Sequence, residues 1–143
     1  MAYEVDLNTT LGRRQDEEAL TVRFADGREE TMRLHEYERV YAIPGLYEEV
    51  VQRRLECASP TRLADEVVAA AGDGAVLRAF DLGAGNGVLG EELAARGASA
   101  LVGSDNIAAA RDAARRDRPD LYPDYLVGEL GDWDELGRLV ADR

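Results

Sequence analysis

The chain has 143 residues, which is the length of one ordinary domain with a core of its own. Its 45% hydrophobic and 32% charged residues are typical of a folded globular protein and argue against a disordered chain. The net charge of −12 weighs against nucleic acid as a direct partner, because phosphates would be repelled over most of the surface.

The same composition bears on where the protein works. No apolar run is long enough to span a membrane, and residues 1–10 lack the basic-then-apolar order of a signal peptide. The single cysteine, Cys57, permits no internal disulfide and fits a reducing compartment. We therefore expect a cytoplasmic protein with no membrane partner. No group of residues has the spacing of a metal site.

The N-terminal part, residues 1–74, is predicted to form a β-hairpin followed by helices. Asp26-Gly27 lies between two alternating runs, Leu20–Phe24 and Glu29–Leu34, and an Asp-Gly pair in this position is a strong hairpin signal. Helical spacing of apolar residues follows. Three helices are expected: from Glu36 to the break at Pro44-Gly45, from Leu46 to Leu55, and from Ser59 to Ala71.

The C-terminal part, residues 75–143, alternates strands with helices. Such alternation predicts parallel strands joined by helical crossovers. We therefore expect an α/β protein with a Rossmann-like parallel sheet after the hairpin and helices. The expected elements are strand Ala75–Phe80, helix Gly87–Ala95, strand Ala100–Gly103, helix Ile107–Asp117, strand Asp124–Val127 and a helix that begins near Asp132.

The segment from Asp81 to Gly87, which reads Asp-Leu-Gly-Ala-Gly-Asn-Gly, joins the first of these strands to a helix. A glycine turn at a helix N-terminus lets a ligand approach the main chain, so this is the geometry of a nucleotide-type cofactor site. Gly85 to Gly90 also match the dinucleotide pattern G-x-G-x-x-G, with Asp105 about 20 residues later. Asp81 counts against a dinucleotide, because its carboxylate would repel a pyrophosphate. It would attract an ammonium or sulfonium group.

Three landmarks, at Asp81–Gly87, Asp105 and Gly128-Glu129, resemble those of the class I S-adenosylmethionine-dependent methyltransferases. The resemblance covers about residues 75–130. It implies that the acidic residue before the glycines lies at the cofactor, and that the acid ending the second strand binds both ribose hydroxyls. The acid after the third strand would meet the adenine amino group, although here it is Glu where the family more often has Asp.

The resemblance implies a cofactor site and leaves the catalytic residues unknown. Asn106 stands where the family usually has an apolar residue against the adenine, and Ile107 is expected to take over that role. An N-terminal aromatic is expected near the cofactor's amino-acid end. The implied cofactor residues are Asp81, Gly83, Ala84, Gly85, Asn86, Gly87, Asp105, Asn106, Ile107, Glu129, Leu130 and Tyr41.

Several of these residues also have a plainer interpretation. Asp105 could serve only as an N-cap of the next helix. Glu129 could be a solvated loop acid, and Tyr41 could simply pack against its neighbours. His35, the only histidine, could act as a base, although a surface or capping role is the simpler reading.

The implied activity is methyl transfer from S-adenosylmethionine to a small-molecule acceptor. Three parallel strands make roughly half of such a domain, so residues 75–143 are expected to be a truncated, cofactor-binding half. The open edge of the first strand would then be covered by a partner chain or a second copy. Two alternatives stay open: a non-catalytic or degenerate cofactor-binding module, and a fragment of an NAD(P)-dependent oxidoreductase.

Overall fold

Two structural units follow one another along the chain, Met1–Glu56 and Cys57–Arg143. The computed structural model describes residues 3–8, 18–129, 131, 134 and 137. The first unit contains an antiparallel sheet, and the second contains a parallel sheet whose strands alternate with helices. The predicted α/β class is therefore confirmed. Among the described residues, no helix is both long and apolar enough to cross a membrane.

The sheet of the first unit has three antiparallel strands in the order β1-β2-β3. They are β1 (Tyr3–Asn8), β2 (Ala19–Phe24) and β3 (Glu29–Arg33). The predicted hairpin around Asp26-Gly27 is confirmed as β2 and β3. Strand β1 was not predicted, although its apolar residues alternate with polar ones as strand residues do.

Two short helical segments pack on one face of this sheet. They are α1 (Tyr37–Ala42) and a π-helix (Glu48–Arg54), in which the predicted second helix adopts the wider winding. The Leu55 N–H donates to the Val50 carbonyl over 3.0 Å, which is the five-residue spacing of a π-helix. The alternating inward residues of the sheet and the apolar helix residues form one core: Val5, Leu20, Val22, Met32, Leu34, Val40, Leu46 and Val50.

The sheet of the second unit is parallel, with the strand order β4-β5-β6. The predicted alternation is confirmed, with strand and helix ends that differ by a few residues. Helix α2, grouped by sequence with the N-terminal part, packs on α3 in the second unit. The elements are α2 (Ser59–Ala71), β4 (Arg78–Leu82), α3 (Val88–Ala95), β5 (Ala100–Asp105), α4 (Ala108–Asp117) and β6 (Asp124–Val127). Of the helix expected near Asp132, the structure describes only Asp134 and Gly137, both in helical conformation.

The packing of the second unit brings the carboxyl ends of its three strands together at one edge of the sheet. Ala64, Leu93 and Leu101 join α2, α3 and β5 in a buried cluster. Helix α4 turns three buried alanines to its neighbours, and such small side chains allow the helix to lie close to the sheet: Ala110, Ala113 and Ala114. In sheets of this kind, ligands bind outside the carboxyl ends of the strands.

Candidate functional site

The glycine turn connects the end of β4 to the start of α3 and is fastened to the neighbouring strand. Gly85 and Gly87 have φ angles of +55° and +93°, a region that residues with a Cβ rarely adopt. The Ala84 N–H donates to the Ser104 carbonyl on β5 over 2.8 Å, and the Gly87 N–H donates to the Ala84 carbonyl over 2.8 Å. The turn therefore has a fixed shape directly before the helix.

Asp105, the last residue of β5, stabilises the glycine turn through its side chain. It is 8% exposed. Its Oδ2 accepts a hydrogen bond from the Gly85 N–H over 3.0 Å, and its Oδ1 accepts one from the Ile107 N–H over 3.0 Å. The N-cap of α4 is Ile107, without a side-chain cap bond, so Asp105 is not the N-cap residue. Its carboxylate links two loops, and its expected contact with a ribose stays a prediction.

Gly85 is held at both of its backbone polar groups. Its N–H is bound by Asp105, and its carbonyl accepts a hydrogen bond of 2.6 Å from the Tyr125 hydroxyl. Tyr125 belongs to β6, so the turn is supported by the two strands that follow it in the sheet. Each bond is buried, and each should contribute about 1 kcal/mol or more to keeping the turn in place.

Asp81 lies beneath the turn, in the last part of β4, and is 6% exposed. Its Oδ2 accepts a hydrogen bond of 2.6 Å from the Tyr122 hydroxyl. Its backbone carbonyl accepts a further bond from the Ser104 hydroxyl over 3.2 Å. A carboxylate has about four acceptor positions, so Asp81 can accept another donor beside Tyr122. The expected contact with a cofactor ammonium group stays a prediction.

Electrostatics at this edge are dominated by the two carboxylates. Burial raises the pKa of the Asp81 carboxyl; the hydrogen bond from Tyr122 lowers that pKa, and the charge of Asp105 raises it. Burial also raises the pKa of the Tyr122 hydroxyl, and so does the neighbouring charge of Asp81. Tyr122 therefore stays protonated and donates at neutral pH. A cationic ligand group would relieve the repulsion between the carboxylates, whereas a phosphate would add to it.

Asn86 and Arg118 close one side of the turn. Asn86 is 1% exposed, and its backbone carbonyl accepts a hydrogen bond from Arg118 Nη1 over 3.1 Å. Arg118 Nε donates to Glu91 Oε2 over 2.8 Å, so the guanidinium ties the turn to α3. Asn86 thus has a structural place in the turn. In the loop after β5, Asn106 is exposed and Ile107 is half-buried, so Ile107 is the apolar residue of that loop.

The end of β6 lies next to Asp105, as the order of the three landmarks implies. The Gly128 N–H donates to the Asp105 carbonyl over 3.1 Å. Glu129 is exposed, and its Oε1 accepts a hydrogen bond from the Gly131 N–H over 3.1 Å. The structure thus places Asp81, Asp105 and Glu129 at the ends of three adjacent strands. Leu130, also predicted to be in the site, lies outside the described residues.

Tyr41 belongs to the first unit, where it is 7% exposed. Its ring stacks on Tyr37 with centroids 5.9 Å apart and is tilted against Tyr47 with centroids 5.1 Å apart. These contacts agree with the packing interpretation of Tyr41. Its expected place near a cofactor stays a prediction.

Sequence reasoning missed the two tyrosines that support the site, Tyr122 and Tyr125. The sequence offered one signal, the glycine at position 103 in a predicted strand, and in the structure Gly103 pairs with Asp81 on one side and with Tyr125 on the other. A glycine in a middle strand leaves room for a large side chain from the next strand. Among the described residues, no three His, Cys, Asp or Glu side chains come together as metal ligands would.

Comparison with known proteins gives no assignment. No protein-family model matches the chain, and no curated protein matches it significantly. Function is therefore inferred from the geometry of the glycine turn and of the two carboxylates beside it.

Proposed function

We propose that the second unit binds S-adenosylmethionine and serves methyl transfer to a small-molecule acceptor. The observation that carries this proposal is the position of Asp105, at the carboxyl end of β5 and hydrogen-bonded to the glycine turn. A carboxylate has more acceptor positions than the two that Gly85 and Ile107 occupy. It can therefore accept the two hydroxyl groups of a ribose while the turn keeps its shape.

The hydrogen bonds within the turn argue against a dinucleotide. A pyrophosphate at a glycine turn is bound by backbone N–H groups that point at it. Here the N–H groups of Ala84, Gly85 and Gly87 all donate to protein oxygens. Two carboxylates also lie at the turn, where a pyrophosphate would bring further negative charge. A neutral adenosine with a positively charged amino-acid end fits this site better.

The chemistry required of the protein is modest. When bound, S-adenosylmethionine supplies a methyl group on a positively charged sulfur, already activated for displacement. The protein then has to hold donor and acceptor in line and exclude water. Asp105 and the glycine turn would hold the adenosine, and Asp81 would attract the charged amino-acid end. The resemblance puts acceptor-binding residues in segments that follow β6.

The experiment that tests the proposal is calorimetric titration of the purified chain with S-adenosylhomocysteine and, separately, with NADH. We expect saturable binding of S-adenosylhomocysteine at one site and no saturable binding of NADH. Saturation by NADH alone, or no heat with S-adenosylhomocysteine in a folded sample, would contradict the proposal. Binding without turnover of any offered acceptor would instead favour a non-catalytic module.

A further inference from the structure

The side chain of Tyr122 crosses the sheet and contacts Asp81 in the candidate site. It lies just before β6, yet its hydroxyl donates to Asp81 at the end of β4, with β5 between them. The residue of β5 at this level is Gly103, which pairs with Asp81 in register. A Cβ at Gly103 would stand 3.2 Å from Tyr122 Cδ2 and 2.9 Å from Tyr125 Cδ2. The missing side chain therefore opens the path that the tyrosine takes.

Helix α3 leaves room for the same ring. A Cβ on Gly90 would lie 2.6 Å from Tyr122 Cζ and would overlap its hydroxyl oxygen. Tyr125 packs edge-on against Tyr122, with ring centroids 5.6 Å apart. Two glycines on different elements and one aromatic neighbour thus define a slot for Tyr122. The Tyr122 hydroxyl is partly buried in this place, and its acceptor is the Asp81 carboxylate, 2.6 Å away.

We infer that Tyr122 is a positioning residue of the cofactor site, whose hydroxyl keeps the Asp81 carboxylate ionised and directed toward the ligand's ammonium group. This inference rests on the proposed binding of S-adenosylmethionine. Without the hydroxyl, a carboxyl in this buried place would take up a proton more readily and would lose its attraction for a cation.

The groups around Asp81 other than Tyr122 either oppose ionisation of its carboxyl or donate their hydrogen bonds to other acceptors. Asp105, from the end of β5, carries the same charge as Asp81 and opposes its ionisation. Tyr125, from β6, donates to the Gly85 carbonyl and not to Asp81. Arg118, which follows α4, donates to Glu91 of α3 and to the Asn86 carbonyl. Of these groups, only Tyr122 donates a hydrogen bond to the Asp81 side chain.

The test begins with the ligand-free protein, in which the side-chain carboxyl carbon of Asp81 is followed by ¹³C NMR as a function of pH. Its resonance is identified by its absence in Asp81→Asn. We expect Tyr122→Phe, which keeps the ring, to move the midpoint of the Asp81 titration to higher pH. Tyr125→Phe makes the same chemical change nearby and should leave the midpoint at the wild-type value. An unmoved midpoint in folded Tyr122→Phe, or an equal shift in Tyr125→Phe, would overturn the inference.

A second variant strengthens the hydroxyl of residue 122 as a hydrogen-bond donor and keeps it in the same place. Fluorotyrosine at position 122 is a stronger hydrogen-bond donor, so it should move the Asp81 midpoint to lower pH. Failure to do so in a folded protein would also count against the inference.

Ligand binding separates this inference from the proposed function. As pH falls through the Asp81 midpoint, the carboxylate charge is lost, so affinity for S-adenosylhomocysteine should fall several-fold. This fall should begin at higher pH in Tyr122→Phe and be absent in Asp81→Asn. Methylthioadenosine, which has the adenosine and no ammonium group, should bind with no such dependence.

An identical pH profile in wild type and Tyr122→Phe overturns the inference alone. Binding of neither ligand by the wild type overturns the proposed function and, with it, the role assigned here.

Discussion

Replacing Asp105 should weaken binding of S-adenosylmethionine more than any other single change of charge at the site. Each charge-assisted hydrogen bond to a ribose hydroxyl is worth about 1.5–3 kcal/mol, and each 1.4 kcal/mol corresponds to about a tenfold change in affinity. We therefore expect Asp105→Asn to weaken binding about tenfold, and Asp105→Ala about 100-fold or more. Calorimetric titration with S-adenosylhomocysteine measures both.

The structure explains why the asparagine variant is the cleaner test. Asp105 also accepts hydrogen bonds from Gly85 and Ile107, so alanine removes support for the turn together with the ligand contact. Asparagine keeps the size of the side chain and one acceptor oxygen. Asp73→Asn is the matched control, because it removes the same charge in the exposed turn before β4, at the opposite end of that strand. A folded Asp105→Asn protein that binds as tightly as this control would refute the ribose contact.

Gly90→Ala should be the most damaging small substitution in the second unit. Its methyl group would occupy the place of the Tyr122 hydroxyl and come within 2.6 Å of the ring carbon that bears it. Overpacking of this kind costs about 1–3 kcal/mol, and displacing Tyr122 also breaks a partly buried hydrogen bond to Asp81 worth about 1 kcal/mol. We expect the free energy of unfolding, measured with urea, to fall by about 2–4 kcal/mol.

Two further variants distinguish a collision with Tyr122 from a general loss of helix stability. Gly137→Ala makes the same change at a helical residue where an added Cβ has no atom of the described residues within 4 Å, so it should leave the free energy of unfolding unchanged or raise it by up to about 1 kcal/mol. Tyr122→Ala makes room for the new methyl group, so the double variant with Gly90→Ala should cost less than the sum of the two single variants. Additive costs would show that Gly90 and Tyr122 do not share this space.

The fold of the second unit could be predicted because its strands and helices repeat a simple pattern. Each strand is a short apolar run, and each helix follows a turn signal such as Gly83–Gly87 or a polar residue such as Asp105. Strand β1 was overlooked because an isolated six-residue alternation is a weak signal until β2 is available to pair with it. The π-helical winding of Glu48–Arg54 depends on hydrogen bonds, whereas apolar spacing shows only that the segment is helical.

The candidate site was predicted only in part, for a physical reason. Asp81, Gly85 and Asp105 belong to local motifs, and the sheet topology alone brings their strand ends together. Tyr122 lies 41 residues from Asp81, and their contact requires three strands in one register and a glycine on the middle one. Such a contact comes from tertiary packing, which no local pattern in the sequence encodes.

The most direct test of the central claim is a ¹H–¹⁵N NMR titration of the chain with S-adenosylhomocysteine. If adenosine binds at the carboxyl ends of β4 and β5, the largest saturable shifts should fall on the amides of Gly85, Gly87 and Ile107. These amides belong to the glycine turn and to the loop that Asp105 braces. The opposite end of the sheet has a cleft lined by Gly72, Leu77 and Arg96, which should stay unperturbed. Shifts confined to that cleft, or no saturable shift anywhere, would contradict the assignment.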